Sequence, residues 1–262
     1  MKEKLLVTLG CSFTEGVGCW IEGTPNDVIN VDHKIWEHYY RASKDSFHEN
    51  GWPYKLGRLM GFDKVANFGW GGSSISGNVK HWFQSYSDKD LSKYDVTLVW
   101  LLPPVLRASN YINGEIIDEL VSESNNESII HNWIKKSQDF EWDSTLEALF
   151  HIKIMVSECK LKGINLIIFK QDELIHFHSL KYNKDDIKFY SARMPDLLGR
   201  KELFSPCCGH LNEEGYTQLA LNMYDKIKSI YPNILGEPLP IDKQRPYNEI
   251  WIDRIINPNK II

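Results

Sequence analysis

Three absences narrow the reading of this chain before any motif is considered. Its five cysteines, Cys11, Cys19, Cys159, Cys207 and Cys208, are odd in number and lack framework spacing, in a 262-residue chain too large to need staples. A reducing cytoplasm is the expected home. No apolar run reaches 18 residues, and the short apolar segment behind Lys2 and Lys4 runs straight into Gly10 and Ser12, so neither a signal peptide nor a membrane span is expected. Positive charge is not in excess: 30 basic and 35 acidic residues give a formal −5 spread along the chain, which argues against nucleic acid as a partner. The chain also lacks internal repeats and low-complexity segments.

What is present suits a large core. With 42% apolar residues the chain is most simply one domain with insertions. Nine tryptophans exceed what such a core requires, so some are expected to line a cleft or an interface.

The stretch Leu5–Gly18 is the organising one. Leu5, Leu6, Val7 and Leu9 form an apolar, partly β-branched run broken by Gly10, and Ser12 follows in a turn rich in glycine and threonine. This predicts a buried strand ending in a tight loop. In an open α/β sheet, ligands bind beyond the carboxyl ends of strands, which makes Ser12 a candidate nucleophile. Local backbone capping by Ser12 and Thr14 is the plainer alternative. Further runs at Lys64–Asn67, Val96–Leu102 and Ile164–Phe169 predict strands. Helices are predicted at Trp52–Met60 with Pro53 in the first turn, and at Ile75–Tyr86 with Ser73 or Ser74 as N-cap. Two more are expected at Ser144–Lys162, ended by Gly163, and at Asn212–Ile230, closed by Pro232. Such alternation argues for a mainly parallel sheet covered by helices on both faces.

Other segments resist assignment. Cys19–Asn50 mixes aromatics and charges without a period and reads as an insertion or long loop with a short helical piece near Lys34–Arg41. Asn110–Ser137 is polar, a loop with at most a short hairpin. Residues 1–232 are expected to form the domain, with 19–50 inserted. Residues 233–262 carry four prolines and an apolar patch at Ile250, Trp251, Ile255 and Ile256, an extension expected to pack on the domain or on a partner, giving an oligomer in the latter case.

Two more blocks join the first. Asn67-Phe68-Gly69-Trp70-Gly71-Gly72-Ser73 follows a strand, where glycines let backbone N–H groups face a cleft. Gly209-His210-Leu211-Asn212-Glu213-Glu214-Gly215 puts a histidine just before the last helix. A serine, glycine amides and a histidine are the parts that acyl transfer requires. Cys207 and His210 have Cys-x-x-His spacing, but no second ligand pair presents itself, so no metal is expected. His176 and His178 are read as surface or satisfied histidines. Trp70 and Trp100 are either cleft walls or core packing at strand ends.

In this order the three blocks resemble the SGNH hydrolase superfamily, also called the GDSL lipase/esterase family. The match spans Leu5 to Ile230, with His210–Gly215 similar to the family's H-P-N-x-x-G and Leu211 in the proline position. The resemblance implies a three-layer α/β/α sandwich of flavodoxin-like type. It also implies Ser12 as nucleophile and oxyanion donor, Gly72 as a second donor and His210 as base, with no cofactor. Ester hydrolysis on a small-molecule or carbohydrate substrate would follow, with an acyltransferase as a variant of the same chemistry. Two departures stand out. The family's oxyanion-hole asparagine is missing, since the third strand runs into Leu101-Leu102-Pro103-Pro104, and Arg107 is the one nearby substitute. The family's aspartate falls on Cys207, so a backbone carbonyl, Asp196 or Glu213 would have to orient His210. These gaps make a non-catalytic binding or structural protein on the same scaffold the rival expectation.

Overall fold

The structure is a computed structural model describing residues 2–85, 91–103, 107–112, 115–120, 140–171 and 187–240. Strand β1 (Glu3–Gly10) runs into the one-turn helix α1 (Ser12–Glu15), and the 19–50 segment then folds as α2 (His33–Ala42) and α3 (Lys44–Asn50). The chain continues through α4 (Trp52–Leu59), β2 (Lys64–Gly69), α5 (Ile75–Ser85) and β3 (Tyr94–Leu102). Next come β4 (Arg107–Ile112), β5 (Glu115–Leu120), α6 (Phe140–Lys162) and β6 (Asn165–Lys170). The last elements are β7 (Phe189–Ser191), α7 (Met194–Leu198) and α8 (Glu213–Ile230).

Five strands pair in parallel in the order β2-β1-β3-β6-β7. Consecutive positions of β1 are buried on opposite faces, as expected of a central parallel strand. Leu5, Val7 and Leu9 join Ile75, Val79 and Trp82 of α5 and Ile152 and Met155 of α6 on one side. Leu6 joins Leu56 of α4 and Tyr216, Leu219 and Met223 of α8 on the other. Each such aliphatic side chain taken fully out of water contributes about 1.5–3 kcal/mol. The result is a three-layer α/β/α sandwich.

From β1 the chain moves outward to β2, then returns to place β3 on the other side of β1. The strand order therefore reverses beside the carboxyl end of β1, the position at which open α/β sheets form their ligand crevice. Ser12 stands there.

The short hairpin allowed for in the polar middle of the chain is present, while other less patterned stretches depart from expectation. The polar 110–137 region begins with an antiparallel pair, Arg107–Ile112 against Glu115–Leu120, and residues 121–139 lie outside the described ones. Helix α6 starts at Phe140, one turn earlier than the periodicity suggests. Beyond α8 the chain to Pro240 lies along the α4–β2 connection: Gly236 N–H donates to Met60 O (2.8 Å), Leu239 N–H to Arg58 O (2.9 Å), and Arg58 Nε to Pro240 O (2.8 Å). The apolar patch at Ile250–Ile256 and the pair His176 and His178 lie outside the described residues. Among the described residues no helix is long and apolar enough to cross a membrane.

Candidate active site

The turn carrying Ser12 is built by close packing around glycine. Gly10 has φ +155, and a Cβ there would collide with Thr14 and lie 2.8 Å from the carbonyl of Leu101. Cys11 O then accepts the N–H groups of Thr14 (2.9 Å) and Glu15 (3.0 Å), and Gly16, left-handed at φ +96, ends the turn by donating to Ser12 O. Ser12 is left 7% exposed at the sheet end. Among the described residues no acceptor takes its backbone N–H.

His210 reaches this turn from the far end of the sequence. Asn212 caps α8 by accepting the N–H of Gly215 (2.9 Å), and the preceding turn is closed by Ser205 N–H to His210 O (2.8 Å) and by the Phe204–Leu211 bridge. The imidazole Nε2 then lies 2.8 Å from Ser12 Oγ, and Nδ1 lies 3.2 Å from Cys208 O. A carbonyl can only accept, so Nδ1 carries the proton and Nε2 accepts from the serine hydroxyl. Of the three groups considered for orienting the ring, the backbone carbonyl is in contact with it. Asp196 instead accepts from Arg193 (2.7 Å), and Glu213 is 3.5 Å from Lys55 Nζ. Phe13 flanks the imidazole, ring centroids 5.0 Å apart.

The glycine block is held by amides. Asn67 donates from Nδ2 to Thr14 O (2.9 Å) and to His48 Nδ1 (3.1 Å), and its Oδ1 accepts from Gly69 N–H (2.9 Å) and Thr8 Oγ1 (3.3 Å). Trp70–Ser73 is a turn closed by Ser73 N–H to Trp70 O (3.0 Å), with Gly72 at φ +81. A Cβ on Gly72 would meet nothing within 4 Å, and no described acceptor takes its N–H. Ser74 caps α5 by accepting from Gly77 N–H (2.9 Å). Asn78 on that helix donates to Ser73 Oγ (2.5 Å) and Gly10 O (3.2 Å) and accepts from the Trp100 indole (2.8 Å). Trp100 is thus a core residue, whereas Trp70 is 45% exposed and stacks on His81.

Sequence reasoning missed the contribution of the 19–50 segment. Glu15 is buried, and Tyr40 Oη donates to it at 2.6 Å, together with Lys44 Nζ. Burial and the Glu15 carboxylate push the Tyr40 phenol well above its ordinary range, so it remains a donor. The signal was a lone acid in an otherwise small and apolar turn. Cys208 Sγ accepts from the Trp20 indole (3.1 Å), and burial raises its thiol pKa. Gln171 Nε2 donates to Cys11 Sγ (3.3 Å). The side chain of Arg107 lies outside the described residues.

No family model and no curated protein matches the sequence. Solved structures do match. An acetyl xylan esterase, Est2A, from Butyrivibrio proteoclasticus superposes with a TM-score of 0.51 at 12% identity over 87% of this chain and 64% of its own length. The chain has an SGNH-type fold. Two further matches at lower scores are a protein assigned to the G-D-S-L lipolytic family from Desulfitobacterium hafniense DCB-2 and a lipase/acylhydrolase from Enterococcus faecalis. The first has a TM-score of 0.46 and 15% identity over 85% of this chain and 99% of its own. The second has 0.41 and 13% over 86% and 96%. On the SGNH frame, the end of β3 is closed by buried Leu102, with no asparagine before Asn110.

Proposed function

We propose that this protein is a serine hydrolase that cleaves a carboxylic ester through an acyl-enzyme on Ser12. The observation that carries this reading is the 2.8 Å contact between Ser12 Oγ and His210 Nε2, with the opposite ring nitrogen bound to Cys208 O. In that tautomer Nε2 takes the Oγ proton as Oγ bonds to the acyl carbon, and the carbonyl electron pair moves onto oxygen. The unpartnered N–H groups of Ser12 and Gly72 are the donors for that oxyanion. Collapse expels the alkoxide, which receives the proton from the imidazolium. Water, deprotonated by the same Nε2, then releases the acid and frees Ser12.

Two backbone donors with no asparagine at the end of β3 among the described residues leave the oxyanion hole shallow, and one such donor is worth about 3 kcal/mol of transition-state stabilisation. A backbone dipole also stabilises the imidazolium less than a carboxylate would. Slow turnover follows from both.

An acyl ester of a carbohydrate is the substrate class the site favours. Trp70 begins the glycine turn, its N–H on Gly10 O (3.1 Å), and presents an exposed indole beside the Ser12 loop, a surface on which a sugar ring stacks. The rival, a binding protein on a hydrolase scaffold, draws on the buried Leu102 where a donor would stand.

Covalent labelling with a fluorophosphonate probe, with the modified residue mapped, separates the two. Modification of Ser12 that disappears in His210→Ala is the expected result. Absence of labelling, with esterase activity undetectable on acetylated sugars, would overturn the hydrolase reading.

A further inference from the structure

Glu15 lies three residues beyond Ser12, is 1% exposed, and has no part in the proton transfers just described. Its two oxygens serve different partners. Oε2 accepts the N–H of Gly71 at 2.8 Å. Oε1 accepts from Tyr40 Oη at 2.6 Å and from Lys44 Nζ. Lys44 also donates to Tyr40 Oη (2.8 Å), with its ammonium 4.1 Å from the Tyr40 ring centroid and 5.9 Å from that of Trp70. The backbone of the glycine turn rests directly on the carboxylate, since a Cβ on Gly71 would lie 3.0 Å from Oε2.

This placement matters because of what the turn is made of. Gly71 and Gly72 are its two central residues, and φ +81 at Gly72 is the value of the third position of a type II turn. Type I and type II turns differ by a flip of the central peptide, the unit that carries the N–H of Gly72. With glycine on both sides of that peptide, local sterics oppose neither orientation. A charge-assisted bond from the Gly71 N–H is roughly twice as strong as a neutral one and anchors the turn on one side of the flip.

We propose that Glu15 is a positioning residue: locked by Tyr40 and Lys44 of the 19–50 segment, it fixes the Gly71–Gly72 peptide so that the Gly72 N–H stays available to an oxyanion. The helices α2 and α3 are then part of the site, because without them the buried carboxylate loses its Tyr40 and Lys44 donors and the turn loses its anchor. The kinetic consequence rests on the hydrolase reading; the anchoring of the turn does not.

The test uses the full chain with two readouts. In Lys44→Met and Glu15→Gln, kcat for an acetyl ester falls about tenfold or more while KM stays within about twofold, as expected when a reacting group is displaced without loss of substrate contact. Lys44→Arg restores most of the rate. Amide hydrogen exchange in residues 68–74 accelerates in the first two variants, with thermal unfolding still cooperative. Should Glu15→Gln fail to fold, Tyr40→Phe, which removes only the hydroxyl, shifts both readouts in the same direction. Unchanged kcat in both variants, a rise in KM at constant kcat, or unchanged exchange in folded protein would each overturn the proposal. A wild-type protein without hydrolysis would sink the hydrolase reading alone, leaving the exchange result in Lys44→Met to decide whether the carboxylate anchors the turn.

Discussion

The Tyr216 hydroxyl donates to the carbonyl of Val17 at 2.7 Å, tying the last helix to the turn that follows Ser12. The two residues are 199 positions apart, and the phenol is fully buried. Gly18 extends the same contact, since its α-carbon faces the Leu211 carbonyl and the Cβ of His210. The distance between Ser12 and His210 is therefore set by packing between two segments distant in sequence rather than by either turn alone.

Gly18→Ala should separate the pair. The new Cβ would collide with the Leu211 carbonyl and come 3.1 Å from the Cβ of His210, at a φ of +121 that an L-residue rarely adopts. A loss of about 2 kcal/mol or more is expected by chemical denaturation, with a larger fractional loss of esterase rate. Full activity in a stable variant would show that the 2.8 Å contact does not depend on this approach.

Asn67 is expected to matter for stability more than any other polar residue near the site. Asn67→Ala leaves the buried Thr14 carbonyl and Gly69 N–H without their side-chain partner, costing about 2–4 kcal/mol in denaturant titration. Asn67→Asp fares little better, because an acceptor then faces the Thr14 carbonyl. A melting curve unchanged in both would remove the amide from the account of how the two loops are joined.

Much of this arrangement was legible in the chain, for identifiable reasons. Strands β1, β3 and β6 are buried on both faces over most of their length and so appear as largely apolar runs, while Gly163 and Pro232 mark helix ends directly. Ser12, Gly72 and His210 stand out because each follows or precedes such punctuation. Other features left no such mark. Helix α3 (Lys44–Asn50) has seven residues, too few to show a period, whereas α2 was visible as the short helical piece near Lys34–Arg41, with Trp36 stacked on Tyr40 within it (4.6 Å). Strand β7 has three residues, too few for alternation. The group that orients His210 is a main-chain carbonyl, which every residue possesses, and the Glu15 contacts join residues 25 and 29 positions apart.

Burial should keep Cys159 protonated in the fold. Its thiol is pushed up to about 12, chiefly by desolvation and further by Glu158. A group whose pKa is raised on folding supports the fold fully below its unfolded value, near 8.5, and loses that contribution as pH rises toward the folded value. Stability should accordingly decline between about pH 8.5 and pH 12, and iodoacetamide at pH 8.5 should leave Cys159 unmodified until denaturant is added. Labelling of the native protein at the rate of the unfolded chain would contradict this.

The last expectation concerns what the Cys208 carbonyl can and cannot do for His210. It fixes the tautomer, so Nε2 is free to take the Ser12 proton, and activity should rise with pH as the imidazolium loses its proton and fall sharply in His210→Ala. It cannot neutralise the positive charge that appears on the ring when the proton arrives. A carboxylate can, and in a related triad its loss costs about 10⁴ in rate. Cys207→Asp puts that group at the position the SGNH motif reserves for it, three residues before the histidine. Turnover should rise at unchanged KM, with some loss of stability because the site is buried and the new acid must be desolvated. If kcat does not rise in a folded Cys207→Asp protein, the missing carboxylate is not what limits turnover, and the proposed oxyanion hole, left without an asparagine at the end of β3, becomes the limiting element.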